Sequence, residues 1–177
     1  MKKILVVVDM QKDFVDGALG TAEAAAIVPA VCEKIKGFEG DIFVTFDTHG
    51  KDYLETAEGR DLPVVHCVRN TAGWKLDKNV AAALKERSFL PVEKPTFGSV
   101  RLPELIREAA AGEEISIELI GLCTDICVVS NALMLKANFP EAPISVDAAC
   151  CAGVTPEAHK AALATMSSCQ IAIVNNN

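Results

Sequence analysis

The residues that decide the fold are GLCTDICV, at positions 121–128. A largely apolar run leads into them from Ile115, and an apolar pattern of helical period continues from them to about Ala137. This order predicts a buried strand, a tight turn and the start of a helix. Cys127 then lies in the first helical turn, where unpaired backbone N–H groups and the helix dipole favour negative charge. We expect its thiol pKa to be lowered toward the thiolate, so Cys127 is predicted to attack a substrate carbonyl.

Outward from this unit, strand-like and helix-like segments alternate along the chain. Predicted strands cover 3–8, 41–46, 64–68, 89–92, 115–122, 144–146 and 170–174, and predicted helices cover 21–36, 76–86, 103–111, 124–137 and 155–167. Alternation of this kind is typical of βαβ units. We therefore predict a single α/β domain over residues 1–177, with three α/β/α layers around a Rossmann-like parallel sheet of about six strands.

Composition narrows the classes of function. The chain has 177 residues, half of them hydrophobic, and a net charge of -7, which fits one globular domain and argues against a nucleic-acid partner. No apolar run approaches the ~18 residues that a membrane span needs, and the run after Lys3 stops at Asp9, too early for a secretory signal. Seven cysteines without a paired spacing indicate reduced thiols and a cytoplasmic protein.

A cysteine nucleophile needs a base, a nearby positive charge and donors for an oxyanion. Asp9 ends the first predicted strand and can act as the base, and Lys94 lies in a loop bounded by proline and glycine. The backbone N–H groups of Cys123 and Cys127 are the natural oxyanion donors. Cys123 and Cys127 are four residues apart and could instead form a metal or redox pair, but a second cysteine pair at ligand spacing is absent.

Three stretches carry a family resemblance: VVVDMQKDF at 6–14, KPTFGS at 94–99 and the stretch at 121–128. Together they resemble the landmarks of the isochorismatase-like cysteine hydrolases, and the resemblance runs from the first strand to the last helix. It implies that Asp9 is the general base, Lys94 its partner and Cys127 the nucleophile. It also implies a cis peptide bond before the nucleophile helix, at Leu122–Cys123, and a homo-oligomer.

A second constellation resembles the metal site of the nicotinamidase branch of that family, which uses Asp-x-His and a later His. Here these residues are Asp47, His49 and His66. One carboxylate and two imidazoles suit a divalent metal, with zinc favoured and iron or manganese as alternatives. Glu58, in the connecting loop, is a further candidate ligand. His159, the third histidine, is interpreted as structural.

The resemblance implies an amidohydrolase that converts nicotinamide to nicotinate and ammonia in NAD salvage, with Phe14 and Trp74 flanking the ring. One departure concerns the substrate. Nicotinamidases usually have Trp-Pro a few residues before the later histidine, where this chain has Leu62-Pro63. Two alternatives stay open: a metal-independent hydrolase of another small amide, ureido or carbamoyl compound, and a binding protein that kept the fold and lost the chemistry.

Overall fold

Six parallel strands form the central sheet of the computed structural model, which describes residues 1–176. They are β1 (Lys2–Val8), β2 (Asp41–Asp47), β3 (Leu90–Lys94), β4 (Ile115–Leu122), β5 (Ile144–Ala152) and β6 (Ala172–Val174). Their order across the sheet is β3-β2-β1-β4-β5-β6. The predicted α/β parallel sheet is confirmed. The direction of winding reverses between β1 and β4, and sheets of this kind bind ligands at such a switch point.

Helices cover both faces of this sheet. They are α1 (Lys12–Val15), α2 (Ala22–Gly37), α3 (Ala57–Asp61), α4 (Lys78–Leu84), α5 (Leu102–Ala110), α6 (Val129–Asn138) and α7 (Pro156–Ser168), with a 3₁₀ turn at Tyr53–Glu55 and a π-helical turn at Thr124–Val128. Thr21 and Thr155 cap α2 and α7, because their side chains accept hydrogen bonds from backbone N–H groups at the starts of these helices. Within the described part of the chain, no helix has the length and apolar character that crossing a membrane requires.

Alternate residues of β1 belong to two separate hydrophobic layers. Val6 lies in the layer packed against α5, α6 and α7, and Val7 lies in the layer packed against α1, α2 and α4. Burying such a side chain contributes roughly 1.5–3 kcal/mol. Because both faces of β1 are covered, its buried part, residues 4–8, is a continuous apolar run rather than an alternating one.

The predicted strand at 64–68 is wrong. A single bridge, between Val68 and His49, is the only sheet-like pairing of this segment. Cys67 has a φ of +45°, a conformation that interrupts an extended strand. The segment is therefore a loop that follows the edge of the sheet and brings His66 toward its carboxyl end.

Gly121 sets the approach of β4 to β1 just before the nucleophile turn. Its φ is +118°, and a Cβ atom on it would lie 2.1 Å from the carbonyl oxygen of Val8. Only glycine tolerates both conditions. The Leu122–Cys123 peptide bond, just after Gly121, is cis, as the family resemblance implies.

Candidate active site

The three residues predicted to do the chemistry meet at the carboxyl end of the sheet. Asp9 follows β1, Lys94 ends β3 and Cys127 lies in the π-helical turn after β4. The Lys94 Nζ atom is 2.6 Å from Asp9 Oδ2 and 3.5 Å from Cys127 Sγ. Thr45 of β2 donates its hydroxyl to Asp9 Oδ1 at 2.6 Å. All four side chains are buried, so a fixed set of contacts holds the base next to the thiol.

Burial determines the resting charges of this group. It raises the pKa of the Cys127 thiol well above its ordinary value, and the Asp9 carboxylate raises it further, against the opposing effect of Lys94. The predicted lowering of this pKa is therefore wrong, because desolvation outweighs the helix start. Burial also raises the pKa of Asp9, although Lys94 opposes it. Burial alone lowers the pKa of Lys94, but the negative charges of Asp9, Cys127 and Asp47 together more than offset this and keep Lys94 protonated.

The turn that carries Cys127 is tied to the loop after β3. We predicted an α-helix from about Thr124, but a π-helical turn comes first and α6 begins at Val129. Asn131 is buried in α6, donates a hydrogen bond to the Cys127 carbonyl at 2.8 Å and accepts one from the Ser99 N–H at 2.9 Å. The sequence reasoning missed Asn131, whose signal was its place one helical turn after the nucleophile. The oxyanion donors remain a prediction.

Asp47, His49 and His66 form a compact group of potential metal ligands, with donor atoms within 4.8 Å of one another. Asp47 Oδ2 lies 2.8 Å from His49 Nε2 and 3.5 Å from His66 Nε2. Glu58 Oε1 lies 3.6 Å and 3.7 Å from the same two nitrogens. Ligand bonds of ~2.1 Å in a tetrahedron separate donors by roughly 3.4 Å, so these spacings fit one small cation.

Two further observations fit a metal at this position. Among residues 1–176, no hydrogen-bond partner is found for the buried His49 Nε2 atom. His66 Nδ1 contacts the Val64 carbonyl at 2.8 Å, which leaves its Nε2 atom directed at Asp47. A carbonyl partner of this kind fixes the orientation of a metal-binding histidine. Although burial alone raises the pKa of Asp47, the two histidines and Lys94 bring it well below its usual value, so this carboxylate is ionised.

Buried side chains that the sequence reasoning missed support these ligands. Gln11 accepts a hydrogen bond from the Asp47 N–H and donates one to the Asp47 carbonyl, both at 2.8 Å. The Tyr53 ring lies 4.7 Å and 5.0 Å from the rings of His49 and His66, measured between centroids. Two sequence features could have identified them: Gln11 comes just after the first strand, and Tyr53, the single tyrosine, lies close to His49 in the sequence.

A cavity of about 50 Å³ connects the two constellations. It is lined by apolar side chains and by members of both sets of polar residues: Phe14, Leu19, Asp47, Glu58, Leu62, His66, Phe97, Cys123, Ile126 and Cys127. Phe14, a predicted substrate contact, stands edge-on to His66 with ring centroids 5.5 Å apart. Trp74 is not brought to this cavity, because its ring packs against Phe46 and its indole N–H donates to the Thr48 hydroxyl at 2.9 Å.

Comparison with known proteins agrees with this architecture. The family model described as the isochorismatase domain matches residues 3–176. A curated relative, the uncharacterized isochorismatase family protein PncA of Bacillus subtilis (strain 168), is 30% identical in an alignment of 146 residues, with 75% of this chain and 78% of the relative covered.

Solved structures give the same result. The nicotinamidase/pyrazinamidase PncA from Bacillus subtilis has a TM-score of 0.83 at 24% identity, with 98% of this chain and 99% of that chain covered. The pyrazinamidase of Pyrococcus horikoshii in complex with zinc has a TM-score of 0.80 at 26% identity, with the same coverage of 98% and 99%. Since the family model spans nearly the whole sequence, the chain belongs to the isochorismatase family.

Proposed function

We propose that this protein hydrolyses nicotinamide to nicotinate and ammonia through a thioester on Cys127. One observation carries the proposal: Lys94 contacts both Asp9 and Cys127, and Cys127 lines a cavity that Asp47 and His66 also line. Cys127, with Asp9 as its base, therefore faces the candidate metal ligands across a small, largely apolar cavity. The chain is a family hydrolase that acts on carbon–nitrogen bonds, and the names of its structural neighbours support nicotinamide as the amide.

The first half of the reaction forms the acyl-enzyme. Asp9 accepts the proton of the Cys127 thiol, and the sulfur attacks the carboxamide carbon of the substrate. The backbone N–H groups of Cys123 and Cys127 stabilise the negative oxygen of the tetrahedral intermediate. When the intermediate collapses, the carbon–nitrogen bond breaks and the leaving nitrogen takes the proton from Asp9. Ammonia is released and a thioester remains on Cys127.

The second half regenerates the enzyme. Asp9, ionised again, removes a proton from water, and the hydroxide oxygen attacks the thioester carbon. Collapse of the second tetrahedral intermediate breaks the carbon–sulfur bond. The proton held by Asp9 returns to the Cys127 sulfur. The product leaves as nicotinic acid, which gives its proton to the released ammonia or to water and becomes nicotinate. Lys94 keeps its charge throughout and balances the negative charge as it passes between carboxylate and sulfur.

Asp47, His49 and His66, with Glu58 beside them, are the residues that would hold a divalent metal, zinc being favoured. When bound, the metal supplies a Lewis acid that retains the pyridine nitrogen of the substrate, so that the carboxamide faces the thiol. Phe14 lines the same cavity and is proposed to contact the ring.

The test is ammonia release from nicotinamide by the purified protein, followed with a coupled ammonia assay. Cys127→Ala should abolish release, whereas Cys169→Ala, which alters an exposed cysteine outside the cavity, should leave it unchanged. A folded, zinc-loaded wild-type protein that releases no ammonia would refute the nicotinamide assignment.

Metal content separates the proposal from a metal-independent amidase. Elemental analysis of the protein after incubation with zinc and gel filtration should give close to one equivalent per chain, and His66→Ala should reduce it strongly. The control is His159→Asn, which leaves the ligands intact. Full activity in a wild-type protein stripped of metal would instead favour hydrolysis of another small amide without a metal.

A further inference from the structure

The third histidine contacts the turn that carries the nucleophile. His159 lies in the first half of α7, and its Nδ1 atom is 2.7 Å from the hydroxyl oxygen of Thr124. Thr124 begins the π-helical turn and is completely buried. We propose that His159 is a positioning residue for catalysis, which acts through Thr124 to hold the Cys127 turn in its reactive conformation. The inference rests on the proposed function for its kinetic test, although its second test needs no substrate.

The same two elements meet at a second point. The Asp125 carboxylate accepts a hydrogen bond from the Val154 N–H at 3.0 Å, in the loop between β5 and α7. A Cβ atom on Gly153 would lie 2.8 Å from the His159 backbone nitrogen and 2.9 Å from Asp125 Oδ1. This close approach fixes the position of α7 relative to the turn. His159 therefore reaches Thr124 from a rigid support.

Two side chains hold the turn at different residues. Asn131 donates to the Cys127 carbonyl at 2.8 Å, and His159 contacts Thr124. Asn131 connects to the loop after β3, while His159 connects to α7. Thr124 directly follows Cys123, and Asn131 bonds to Cys127 itself, so the two attachments lie at or next to the residues whose N–H groups are proposed as oxyanion donors. Loss of the His159 contact releases one of them while the strand before the turn stays in place.

The His159 imidazole is neutral at physiological pH. Burial lowers the pKa of His159, the nearby charge of Lys160 lowers it further, and Asp125 opposes both. A neutral imidazole offers one donor and one acceptor, and a threonine hydroxyl can complement either. An asparagine amide group placed at the same backbone position can replace Nδ1, because it lies at the same distance along the side chain. A glutamine amide corresponds to Nε2 instead and does not match the contact.

Catalytic groups must be held within about 0.5 Å of their productive geometry. A misplacement of about 1 Å costs roughly 100-fold in rate. We expect loss of the His159 contact to produce a smaller displacement, so kcat should fall by roughly tenfold. Because His159 does not line the cavity, KM should stay within about twofold.

The experiment compares His159→Asn with His159→Gln and His159→Leu, and Thr124→Ser with Thr124→Val. Two readouts are measured on each folded, metal-loaded variant: kcat and KM for nicotinamide, and the rate at which iodoacetamide alkylates Cys127, quantified by peptide mass spectrometry. Asn and Ser variants should remain close to wild type. Gln, Leu and Val variants should lose both kcat and alkylation rate, and the His159→Leu/Thr124→Val double variant should be no worse than either single one.

The proposal is overturned if His159→Gln or His159→Leu folds and alkylates at the wild-type rate, or if His159→Asn is as impaired as His159→Leu. In the first case the contact contributes only to stability, and in the second the Nδ1 contact is irrelevant. If the wild-type protein does not hydrolyse nicotinamide, the proposed function fails, and the alkylation rates alone decide the role of His159.

Discussion

Replacing Lys94 with methionine tests how the buried charges of the site are balanced. The substitution keeps most of the side-chain volume and removes the charge next to Asp9. In the wild-type protein the Lys94 ammonium lies 2.6 Å from Asp9 Oδ2 and 3.4 Å from Asp47 Oδ1. At an effective dielectric constant of about 20, the first of these separations corresponds to about 6 kcal/mol of attraction.

The measured loss of stability should be smaller than this attraction, because Asp9 has an alternative. Without Lys94, burial keeps the pKa of Asp9 raised, and the carboxyl group can fold in its protonated form. From an unfolded pKa of ~3.9, protonation at pH 7 costs about 4 kcal/mol, at 1.36 kcal/mol per pH unit. Protonating Asp9 costs less than losing the attraction to Lys94, so the protonation cost sets the expected loss of stability. A loss of this size agrees with about 3–5 kcal/mol for breaking a buried ion pair.

The pH dependence follows from the direction of the shift. A carboxyl group with a raised pKa in the folded state binds a proton on folding, so its contribution is favourable at low pH and is lost as pH rises toward the folded pKa. The free energy of unfolding of Lys94→Met should therefore be about 4 kcal/mol below wild type at pH 7 and about 1.5 kcal/mol below it at pH 5. Urea titrations in EDTA, read by fluorescence of the single tryptophan, measure both.

The control is the double variant Asp9→Asn/Lys94→Met. It has no buried charge at either position, so it should recover most of the loss at pH 7 and show no corresponding change between pH 5 and pH 7. The proposed charge balance would be refuted if Lys94→Met lowered the free energy of unfolding by less than about 1 kcal/mol at pH 7, or by the same amount at pH 5 and pH 7.

Two predictions concern the fold. Gly121→Ala should cost at least about 3 kcal/mol in urea titrations, because the methyl group meets the Val8 carbonyl, whereas Gly112→Ala should cost only about 1 kcal/mol, since its φ is also positive but its surroundings are open; equal losses would contradict the packing argument. Lys34→Met should cost about 2 kcal/mol, because it leaves the buried Asp147 carboxylate without its ion pair at 2.7 Å. Burial alone lowers the pKa of Lys34, but its ion pairs with Asp147 and Glu118 raise it above its ordinary value. The contribution is therefore complete below pH ~10 and the loss should be constant from pH 7 to 9; a loss that disappears within this range would disprove the assignment.

The layered fold was predictable because buried parallel strands have a simple sequence signature. β1 is an unbroken apolar run from Ile4 onward, β4 is apolar except at Ser116 and Glu118, and each is followed by a turn that contains polar residues. The same signature misled at 64–68, where three valines and a cysteine resemble a short strand. Residues 64–68 contribute to the candidate metal site instead of forming a strand of the sheet. His66 is held toward Asp47, and the backbone turns at Cys67.

The candidate site was predictable as a set of residues and less so as an electrostatic system. Asp9, Lys94 and Cys127 could be assigned because strand ends converge and because their order resembles a family pattern. The direction of the thiol pKa could not, because it depends on how completely the surrounding layers exclude water. The metal's identity, the homo-oligomer and the cytoplasmic location remain predictions.

Burial of the triad has a consequence for proton transfer. In the resting site the proton is on sulfur, and Lys94 pairs mainly with the Asp9 carboxylate, at 2.6 Å compared with 3.5 Å to Cys127 Sγ. Transfer of the proton to Asp9 moves the negative charge to sulfur, where the same ammonium is still within reach. The number of buried charges does not change, so desolvation, which raises both pKa values, opposes the step little. Lys94 therefore need not deliver or accept a proton: a fixed cation between two acceptors lets a buried carboxylate activate a buried thiol.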